Sequence, residues 1–335
     1  MTVKVAINGF GRIGRLVFRA GREHPKFRFV AVNDLTDAAT LAHLLKYDSV
    51  HRELPGPVEA GEGVIRIKNG EIRVFGEKDP ASLPWKELGV DIVIEATGRF
   101  RKREEAALHL KAGAKKVILT APGKNMDATI NIGINQDKYD PAKHSVISNA
   151  SCTTNSLTPV VKPLLDRFGI EKALVTTIHS YTSDQNLLDA PHKDLRRARA
   201  AAVSMVPTTT GAAKAVALVI PVLEGRFDGV AIRVPTPNVS LSDISLLLGR
   251  STTVAEVNST LQEAAEGKLK GILGYSALPL VSSDFIGSAF SAVVDADLTR
   301  VVGGNLVKVF SWYDNEWGYS CRIVDSIELM VDKGL

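Results

Sequence analysis

In the first 150 positions, short β-rich apolar runs alternate with segments whose apolar residues recur at helical spacing. The runs predict strands and the spaced segments predict helices. Strands that alternate with helices are typical of a parallel, doubly wound sheet, and near-continuous apolar strands fit a sheet covered on both faces. The predicted strands are 3–7, 27–32, 90–96, 117–120 and 146–147, and the predicted helices are 11–21 and 102–112.

The pattern changes after about residue 150. Positions 152–168 predict a helix that ends at Gly169, as helices often do, and positions 253–266 predict a second helix. The β-rich runs around them suit a mixed or antiparallel sheet with helices on one face. A helical pattern returns over 316–331. The predicted strands of this half are 173–178, 229–234, 240–248, 289–294 and 306–312.

Length and composition bound the class of protein. A chain of 335 residues is too long for one core of ordinary size, so we expect two domains. With 45% hydrophobic and 23% charged residues, the composition excludes a mainly disordered chain. The net charge of +4 is too small and too dispersed to indicate nucleic acid as the main partner.

The chain has two cysteines, Cys152 and Cys321, which are too few for a disulfide scaffold or an all-cysteine zinc site. No metal site is predicted, and the scarcity of cysteine suggests a reducing compartment. The first residues lack the core of a signal peptide. The most apolar later stretch, 212–223, is too short to span a bilayer. We therefore expect a cytoplasmic protein.

A glycine-rich turn follows the first predicted strand. Gly9, Gly11 and Gly14 have the GxGxxG spacing, which permits a tight turn, the approach of a pyrophosphate and close packing of the helix. The N-terminus of that helix offers free N–H groups to phosphates. Asp34 follows the second predicted strand, where an acid accepts hydrogen bonds from ribose hydroxyls and disfavours a 2′-phosphate. A glycine turn used only for packing is the alternative to dinucleotide binding.

Cys152 stands where a predicted strand gives way to a predicted helix. The positive end of the helix dipole lowers the pKa of a thiol and favours the thiolate, which suits a nucleophile. A buried structural cysteine fits the same local sequence.

His179 comes at the end of a later predicted strand, so the two side chains can meet at one sheet edge. An imidazole in reach of the thiol would activate it and shuttle protons. A core histidine with satisfied hydrogen bonds is the alternative, and His192 competes for the role from a charged segment.

Three later segments suit anions. The basic run 193–199 contains Arg197, although a solvated face, a subunit contact or a nucleic-acid patch fits that run as well. Thr210 and Gly211 precede a helix-like run and form a plausible anion cradle. Arg233 ends a predicted strand. Several anion-binding elements around one thiol suggest a substrate that carries phosphate, with a second phosphate as a reactant.

Seven motifs resemble those of the phosphorylating glyceraldehyde-3-phosphate dehydrogenases of glycolysis, in their bacterial form. The resemblance covers essentially the whole chain, through INGFGRIGR, ASCTTN, HSYT, DLRRARAAA, PTTTGAAKA, RVPTPNVS and WYDNEWGYS. It implies an α/β Rossmann-type dinucleotide-binding domain over 1–150, rejoined by a carboxy-terminal helix at 316–335. It implies an α+β catalytic domain with a mostly antiparallel sheet over 151–315. It also implies NAD as the cofactor, a homotetramer and a cytoplasmic place in glycolysis or gluconeogenesis.

The resemblance also implies a chemistry. Cys152 would attack the aldehyde of D-glyceraldehyde 3-phosphate to give a thiohemiacetal, with His179 as the base. Hydride transfer to NAD would leave a thioester, which inorganic phosphate would convert to 1,3-bisphosphoglycerate. Because a thioester keeps oxidation free energy that hydrolysis would waste, the site must exclude water. By the same resemblance, substrate and phosphate would be held by Ser151, Thr153, Thr182, Arg197, Thr210, Gly211 and Arg233, and the dinucleotide by Gly9, Gly11, Arg12, Ile13, Gly14, Asp34, Lys78, Thr120 and Asn315.

Three positions depart from the family pattern. Lys78 stands where arginine is frequent, and Ser156 stands where many members have a second cysteine. The segment 188–191 is intermediate, because its last two residues, Ala190 and Pro191, stand where NAD-specific members tend to have Leu-Pro and NADP-using ones Ala-Ser. Asp34 favours NAD, while Ala190 removes bulk that helps to exclude a 2′-phosphate. We therefore expect a preference for NAD with some tolerance of NADP.

Two alternative functions remain. An erythrose-4-phosphate dehydrogenase resembles the family in fold and in its cysteine–histidine pair, but Arg197 and the segment 207–211 favour the glyceraldehyde enzymes. A non-catalytic NAD-binding or nucleic-acid-binding protein is disfavoured because Cys152, His179 and the anion motifs are all intact.

Overall fold

The computed structural model describes residues 2–68 and 70–335. The chain divides into two compact units. The first unit comprises the described residues up to Ile132 together with Gln136–Ala150 and Ser320–Leu335, and the second comprises Gly133–Asn135 and Ser151–Tyr319. Within the described residues, no helix is long and apolar enough to cross a membrane.

The first unit contains a mostly parallel sheet. Its strands are β1 (Val3–Asn8), β2 (Phe27–Asn33), β3 (Val58–Gly61), β4 (Val64–Ile67), β5 (Gly70–Phe75), β6 (Ile92–Glu95), β7 (Lys116–Leu119), β8 (Ala128–Thr129) and β9 (Val146–Ser148). They lie in the order β3–β4–β5–β2–β1–β6–β7–β9–β8. The pairs β3–β4 and β4–β5 are antiparallel, and the other neighbours are parallel.

Helices connect these strands, as a doubly wound sheet requires. They are α1 (Arg12–Gly21), α2 (Ala38–Lys46), α3 (Trp85–Leu88), α4 (Arg103–Ala106) and α5 (Leu108–Lys111). The central strands are fully buried, as their near-continuous apolar sequences predict. The sequence pattern does not predict α2 or β3–β5, because β3, β4 and β5 are short and mostly exposed and bury little beyond Ile65 and Ile72.

The second unit contains a mixed sheet with helices on one face. Its strands are β10 (Ile170–Ser180), β11 (Val206–Thr209), β12 (Phe227–Val234), β13 (Ser240–Leu248), β14 (Leu273–Ser276), β15 (Ala292–Val302) and β16 (Leu306–Tyr313). Its helices are α6 (Cys152–Phe168), α7 (Ala212–Val219) and α8 (Val254–Glu266). The strand order is β11–β12–β10–β13–β16–β15–β14. Among the described residues of this sheet, the pairs β10–β12 and β14–β15 are parallel and the other neighbours are antiparallel. This arrangement confirms the predicted mostly antiparallel sheet.

The core of the second unit lies between the sheet and its three helices. Val160 of α6, Val216 of α7 and Val257 of α8 are fully buried in one cluster with Ile244 and Val309 of the sheet. The helix α8 begins at a capping box, in which Thr253 and Glu256 each bond the backbone N–H of the other. The α6 helix ends at Gly169, whose φ of +70° suits glycine.

The last helix, α9 (Trp317–Asp332), returns to the first unit from Ser320 onward. In that unit, Lys26 binds Glu328 at 2.6 Å and Asp332 at 2.7 Å. Ile327 of the same helix is fully buried. The domain boundaries 1–150, 151–315 and 316–335 stay predictions. The observed division assigns 133–135 to the second unit, because Ile134 packs against the core of that unit.

Other differences from the predicted elements are local. The helix predicted over 102–112 is two short helices, α4 and α5, because Ala107 between them has a ψ of −7°. The strand predicted over 289–294 begins at Ala292, where pairing with β14 begins, and it continues to Val302.

Candidate active site

Cys152 is the first residue of α6, and the residue as a whole is half-buried. Ser151 caps the helix, because its Oγ accepts a hydrogen bond from the Thr154 N–H at 3.1 Å. Asn155 donates its side-chain amide to the Ser151 carbonyl oxygen at 2.9 Å. These two bonds hold the backbone on both sides of the thiol.

His179 of β10 brings its imidazole to this thiol. Its Nε2 lies 3.6 Å from the Sγ of Cys152. Its Nδ1 lies 2.7 Å from the carbonyl oxygen of Ser180, which can only accept, and 3.2 Å from Arg233 Nη1. The two protons of that Nη1 have acceptors in Thr182 Oγ1 at 2.8 Å and the same Ser180 oxygen at 3.1 Å, so Nδ1 carries its own proton toward Ser180. The lone pair on Nε2 of the neutral imidazole therefore faces the thiol. The competing residue His192 bonds within its own loop, where its Nδ1 accepts from the Asp194 N–H at 2.9 Å.

Burial dominates the electrostatics of the pair. Burial raises the pKa of the Cys152 thiol, and Arg233 and Thr153 offset only part of that rise. The lower pKa expected from the helix N-terminus is therefore wrong for this structure. Burial, followed by the positive charge of Arg233, lowers the pKa of His179 to about 3, so the imidazole is neutral at pH 7.

Tyr313, at the end of β16, joins two buried threonines beside the thiol. Its hydroxyl lies 3.0 Å from Thr153 Oγ1 and 2.8 Å from Thr177 Oγ1. The Tyr313 ring meets the His179 ring edge to face, with centroids 6.0 Å apart. Sequence reasoning missed Tyr313, because nothing local to its strand distinguishes it from a core aromatic residue.

Asn315 lies in the same unit and is oriented by two buried serines. Its Oδ1 accepts from Ser180 Oγ at 2.9 Å and from Ser240 Oγ at 2.8 Å. The Ser180 N–H donates to Ser240 Oγ at 3.1 Å, which turns the Ser240 proton toward Asn315. The two serines therefore fix which way the Asn315 amide points.

Two arginines and a carboxylate form a charged cluster in the second unit. Arg233 donates to Thr182 Oγ1 at 2.8 Å. Arg197 pairs with Asp184, which also accepts from Thr182 and lies 4.0 Å from Arg233. Burial raises the pKa of Asp184, but Thr182 and the two guanidinium groups outweigh it and lower that pKa. The structure thus brings Thr182, Arg197 and Arg233 together, through a carboxylate that the sequence analysis missed.

Two further predicted anion-binding residues lie at the start of α7. Thr210 Oγ1 accepts from the Ala212 N–H at 3.2 Å. Gly211 is exposed, and a Cβ at this position would have nothing within 4 Å. Their role, like that of Ser151 and Thr153, stays a prediction.

In the first unit, a cavity of about 310 Å³ opens at the carboxyl ends of β1 and β2. Four of the predicted cofactor residues line it, namely Gly9, Gly11, Asp34 and Lys78. Asp34 is held in place, because its Oδ2 accepts from the Phe10 N–H at 2.8 Å. The crevice beyond the carboxyl ends of parallel strands is where open α/β sheets bind ligands.

The glycine turn beside this cavity leaves no room for side chains at two of its positions. Gly9 has a φ of +91°, and a Cβ there would lie 2.6 Å from the Thr97 nitrogen. A Cβ on Gly14 would collide with the Gly9 carbonyl oxygen. Gly11 has open space beside it, as the approach of a pyrophosphate requires. These residues fit a dinucleotide.

The other predicted cofactor residues of this unit are not among the residues that line the cavity. Ile13 belongs to α1 and is half-buried. Thr120 donates its hydroxyl to the Glu95 carbonyl oxygen at 3.2 Å. Arg12 pairs with Asp48 at 3.1 Å. Burial raises the pKa of Asp48, but backbone N–H groups and Arg12 outweigh it and lower that pKa to about 2.

Known protein families match both units. The family model described as the glyceraldehyde 3-phosphate dehydrogenase NAD binding domain matches residues 3–103, and the model of the C-terminal domain matches residues 151–315. Glyceraldehyde-3-phosphate dehydrogenase of Geobacillus stearothermophilus is 62% identical over 335 residues, 100% of both chains. The enzyme of that name from Thermotoga maritima is 61% identical over 330 residues, 98% of this chain and 99% of its own. Glyceraldehyde-3-phosphate dehydrogenase 1 of Bacillus subtilis is 58% identical over 335 residues, 100% of both chains.

We expect Tyr313→Phe to lower the free energy of unfolding by about 1–3 kcal/mol, because the buried hydroxyls of Thr153 and Thr177 lose their partner. Urea unfolding measures this change. Tyr47→Phe is the matched control, because Tyr47 is 52% exposed. Equal stability of the two variants would contradict the assignment of Tyr313 as the link between the threonines.

Proposed function

The chain belongs to the glyceraldehyde-3-phosphate dehydrogenase family, and on that basis we propose that Cys152 and His179 catalyse the oxidation of D-glyceraldehyde 3-phosphate with NAD and inorganic phosphate. The product is 1,3-bisphosphoglycerate. The observation that carries the assignment of the two residues is the 3.6 Å approach of His179 Nε2 to Cys152 Sγ.

The first step joins the thiol to the substrate. The Cys152 sulfur attacks the aldehyde carbon, and a C–S bond forms while the C=O double bond becomes a C–O single bond. The thiol proton goes to His179 Nε2, whose lone pair faces the sulfur. Because burial and Arg233 make the protonated imidazole a strong acid, it gives this proton to the new oxygen and leaves a thiohemiacetal.

The second step oxidises the thiohemiacetal to a thioester. His179 Nε2 takes the hydroxyl proton, and the C–H bond breaks with its electron pair. NAD, held by the residues proposed below for the dinucleotide, would supply the acceptor for that pair as a hydride. The Ser180 carbonyl oxygen keeps Nδ1 protonated throughout, so the same face of the imidazole serves both proton transfers.

The third step releases the acyl group. An oxygen of inorganic phosphate attacks the thioester carbon, the C–S bond breaks, and the sulfur leaves with its electron pair. The sulfur takes the proton that His179 Nε2 holds from the second step, which restores the thiol and the neutral imidazole, and the proton of the attacking phosphate goes to solvent. Arg197, Arg233 and Thr182 supply the charge and the hydroxyl that a phosphate group needs. Ser151, Thr153, Thr210 and Gly211 are proposed to hold the second phosphate at the starts of α6 and α7.

For the cofactor, the residues at the cavity of the first unit fit NAD. Gly11 leaves open space, and Asp34 presents a carboxylate fixed by the N–H groups of Phe10 and Thr36. For the dinucleotide we propose Gly9, Gly11, Arg12, Ile13, Gly14, Asp34, Lys78 and Thr120 of the first unit. Asn315 keeps the cofactor-binding role that the family resemblance implies. A cytoplasmic location belongs to the same proposal and is tested by fractionating the cells that express the chain.

Phosphate-dependent formation of NADH from glyceraldehyde 3-phosphate and NAD tests the function. Cys152→Ser is expected to abolish turnover and to leave NAD binding measurable. His179→Asn is expected to slow turnover by about 10²–10⁴-fold, the usual range for a lost general base. Turnover that is indifferent to phosphate, or a Cys152→Ser variant that stays active, contradicts the proposal.

The cofactor preference is tested by the ratio of kcat/KM for NAD and NADP. The fixed carboxylate of Asp34 repels a 2′-phosphate, so we expect NAD to be preferred, with measurable NADP use because Ala190 is small. Asp34→Ala is expected to move the ratio toward NADP. A wild-type preference for NADP would overturn the assignment of Asp34.

Self-association as a homotetramer is the remaining part of the proposal. One face of the second sheet carries apolar side chains that the described chain leaves exposed, among them Leu174 at 66% and Val230 at 52%. The segment 187–205 adds Leu187, Leu188 and Leu195, each more than 70% exposed. Apolar surface of this extent is typical of a subunit interface.

Light scattering coupled to size-exclusion chromatography is expected to give four times the mass of one chain. Val230→Asp is expected to lower that mass, because it places a charge on the apolar sheet face. Leu218→Asp is the control, since Leu218 is 59% exposed on α7 and lies outside the sheet. A wild-type protein that elutes as a monomer at micromolar concentration would contradict the homotetramer.

A further inference from the structure

Three buried side chains lie in register at the carboxyl ends of the adjacent strands β1, β2 and β6. Asn8 pairs with Asn33 on one side and with Glu95 on the other. Asn33 Nδ2 donates to Asn8 Oδ1 at 2.7 Å, and Asn8 Nδ2 donates to Glu95 Oε2 at 2.6 Å. Asn8 and Asn33 line the cavity of the first unit, whereas Glu95 is wholly buried behind that lining.

A tryptophan and a histidine determine where the protons lie. The Trp85 Nε1–H can only donate, and it lies 3.0 Å from His109 Nδ1. His109 therefore carries its proton on Nε2 and donates it to Glu95 Oε2 at 3.0 Å. The other oxygen, Oε1, accepts from the N–H of Thr97 at 2.9 Å and from the Thr97 hydroxyl. The Glu95 carboxylate thus acts only as an acceptor, toward four donors.

This acceptor sets the orientation of two amides. Asn8 must turn its Nδ2 toward Glu95, so its Oδ1 faces Asn33. Asn33 must then present its Nδ2 to Asn8, and its Oδ1 is left to accept from the Glu77 N–H at 2.8 Å. Asn33 Nδ2 also reaches the Glu77 carbonyl oxygen at 2.9 Å. One buried carboxylate therefore determines how the backbone at Glu77 is held.

We propose that Glu95 is a positioning residue for dinucleotide binding, an inference that rests on the proposed function. Glu77, Lys78 and Thr97 line the cavity. Glu95 acts on the backbone of Glu77, the residue before Lys78, through the two asparagines, and it acts on Thr97 directly. It raises the affinity for the dinucleotide without contacting it, because it holds the lining in one hydrogen-bonded arrangement before the ligand arrives.

Glu95→Gln tests the proposal. Glutamine replaces one acceptor oxygen with an NH₂ donor, and the simplest repair reverses Asn8 and then Asn33. That reversal places the Asn33 NH₂ group against the Glu77 N–H and breaks a bond of the cavity lining. We expect the Kd for NAD, measured by calorimetry, to rise about tenfold, the scale of one lost buried hydrogen bond. KM for NAD is expected to rise with it, while kcat at saturating NAD changes less than about twofold.

The double variant Asn8→Asp with Glu95→Gln provides the rescue. The carboxylate introduced at position 8 would accept from Asn33 on one side. On the other side it would accept from the amide introduced at position 95 and from His109, whose Nε2 lies only 3.3 Å from Nδ2 of Asn8. Asn33 then keeps its native orientation. We expect the double variant to bind NAD within about threefold of wild type. If the two positions acted independently, the effects of the two substitutions on the Kd would instead add. This comparison decides the question even where Glu95→Gln fails to fold.

Asp127→Asn is the matched control. Asp127 accepts from Arg103 and from the N–H groups of Ser145 and Val146 in the same unit, and it lies outside the cavity lining. The Asp127→Asn substitution is expected to lower Tm without changing the Kd for NAD. A Glu95→Gln variant that behaves like this control, or a double variant that folds but binds NAD tenfold more weakly than wild type, overturns the proposal. Wild-type NAD binding without phosphate-dependent turnover would instead count against the proposed function alone.

Discussion

The hydrogen bond from His179 Nδ1–H to the Ser180 carbonyl oxygen is the constraint on which the candidate active site depends. A carbonyl oxygen cannot donate, so this bond places the proton on Nδ1 and leaves Nε2 to face the Cys152 thiol. The same residue, Ser180, donates its hydroxyl to Asn315 and its N–H to Ser240. One position at the end of β10 thereby orients both the imidazole and the Asn315 amide.

In each unit, a buried network of hydrogen bonds orients the functional groups. Each bond of the network has one group that can donate and one that can accept, so the orientations of its members are consistent with one another. In the second unit the network starts from the Ser180 carbonyl oxygen, and in the first unit from the Glu95 carboxylate. In both cases an acceptor-only group lies at the base of the network, and the side chains beyond it have one favourable orientation. Satisfied buried networks of this kind are rigid, because reversing any member leaves a donor or an acceptor unpaired.

The sequence predicted those features that local physics determines. The α6 helix begins at Cys152 because Ser151 is a good cap. The β13 strand has the predicted bounds, and buried and half-buried residues alternate along it as the two faces of a strand require. The glycine turn and Asp34 lie together because a strand, a turn and a helix follow one another along the chain.

Features that depend on distant pairs were not predicted. Tyr313 reaches Thr153 across 160 positions, and Glu95 reaches Asn8 across 87. Asp184 lies in a loop whose sequence has no periodicity, and its role follows only from the two arginines beside it. The pKa of Cys152 shows the same limitation, because the helix N-terminus is visible in the sequence while the burial that outweighs it is not.

Neutron diffraction from crystals of the deuterated protein would locate the hydrogen atoms on His179. We expect a deuterium on Nδ1 that points at the Ser180 carbonyl oxygen, with Nε2 directed at the Cys152 sulfur. A neutral imidazole with its deuterium on Nε2 and a bare Nδ1 would contradict it, because Nε2 would then have no lone pair with which to accept the thiol proton.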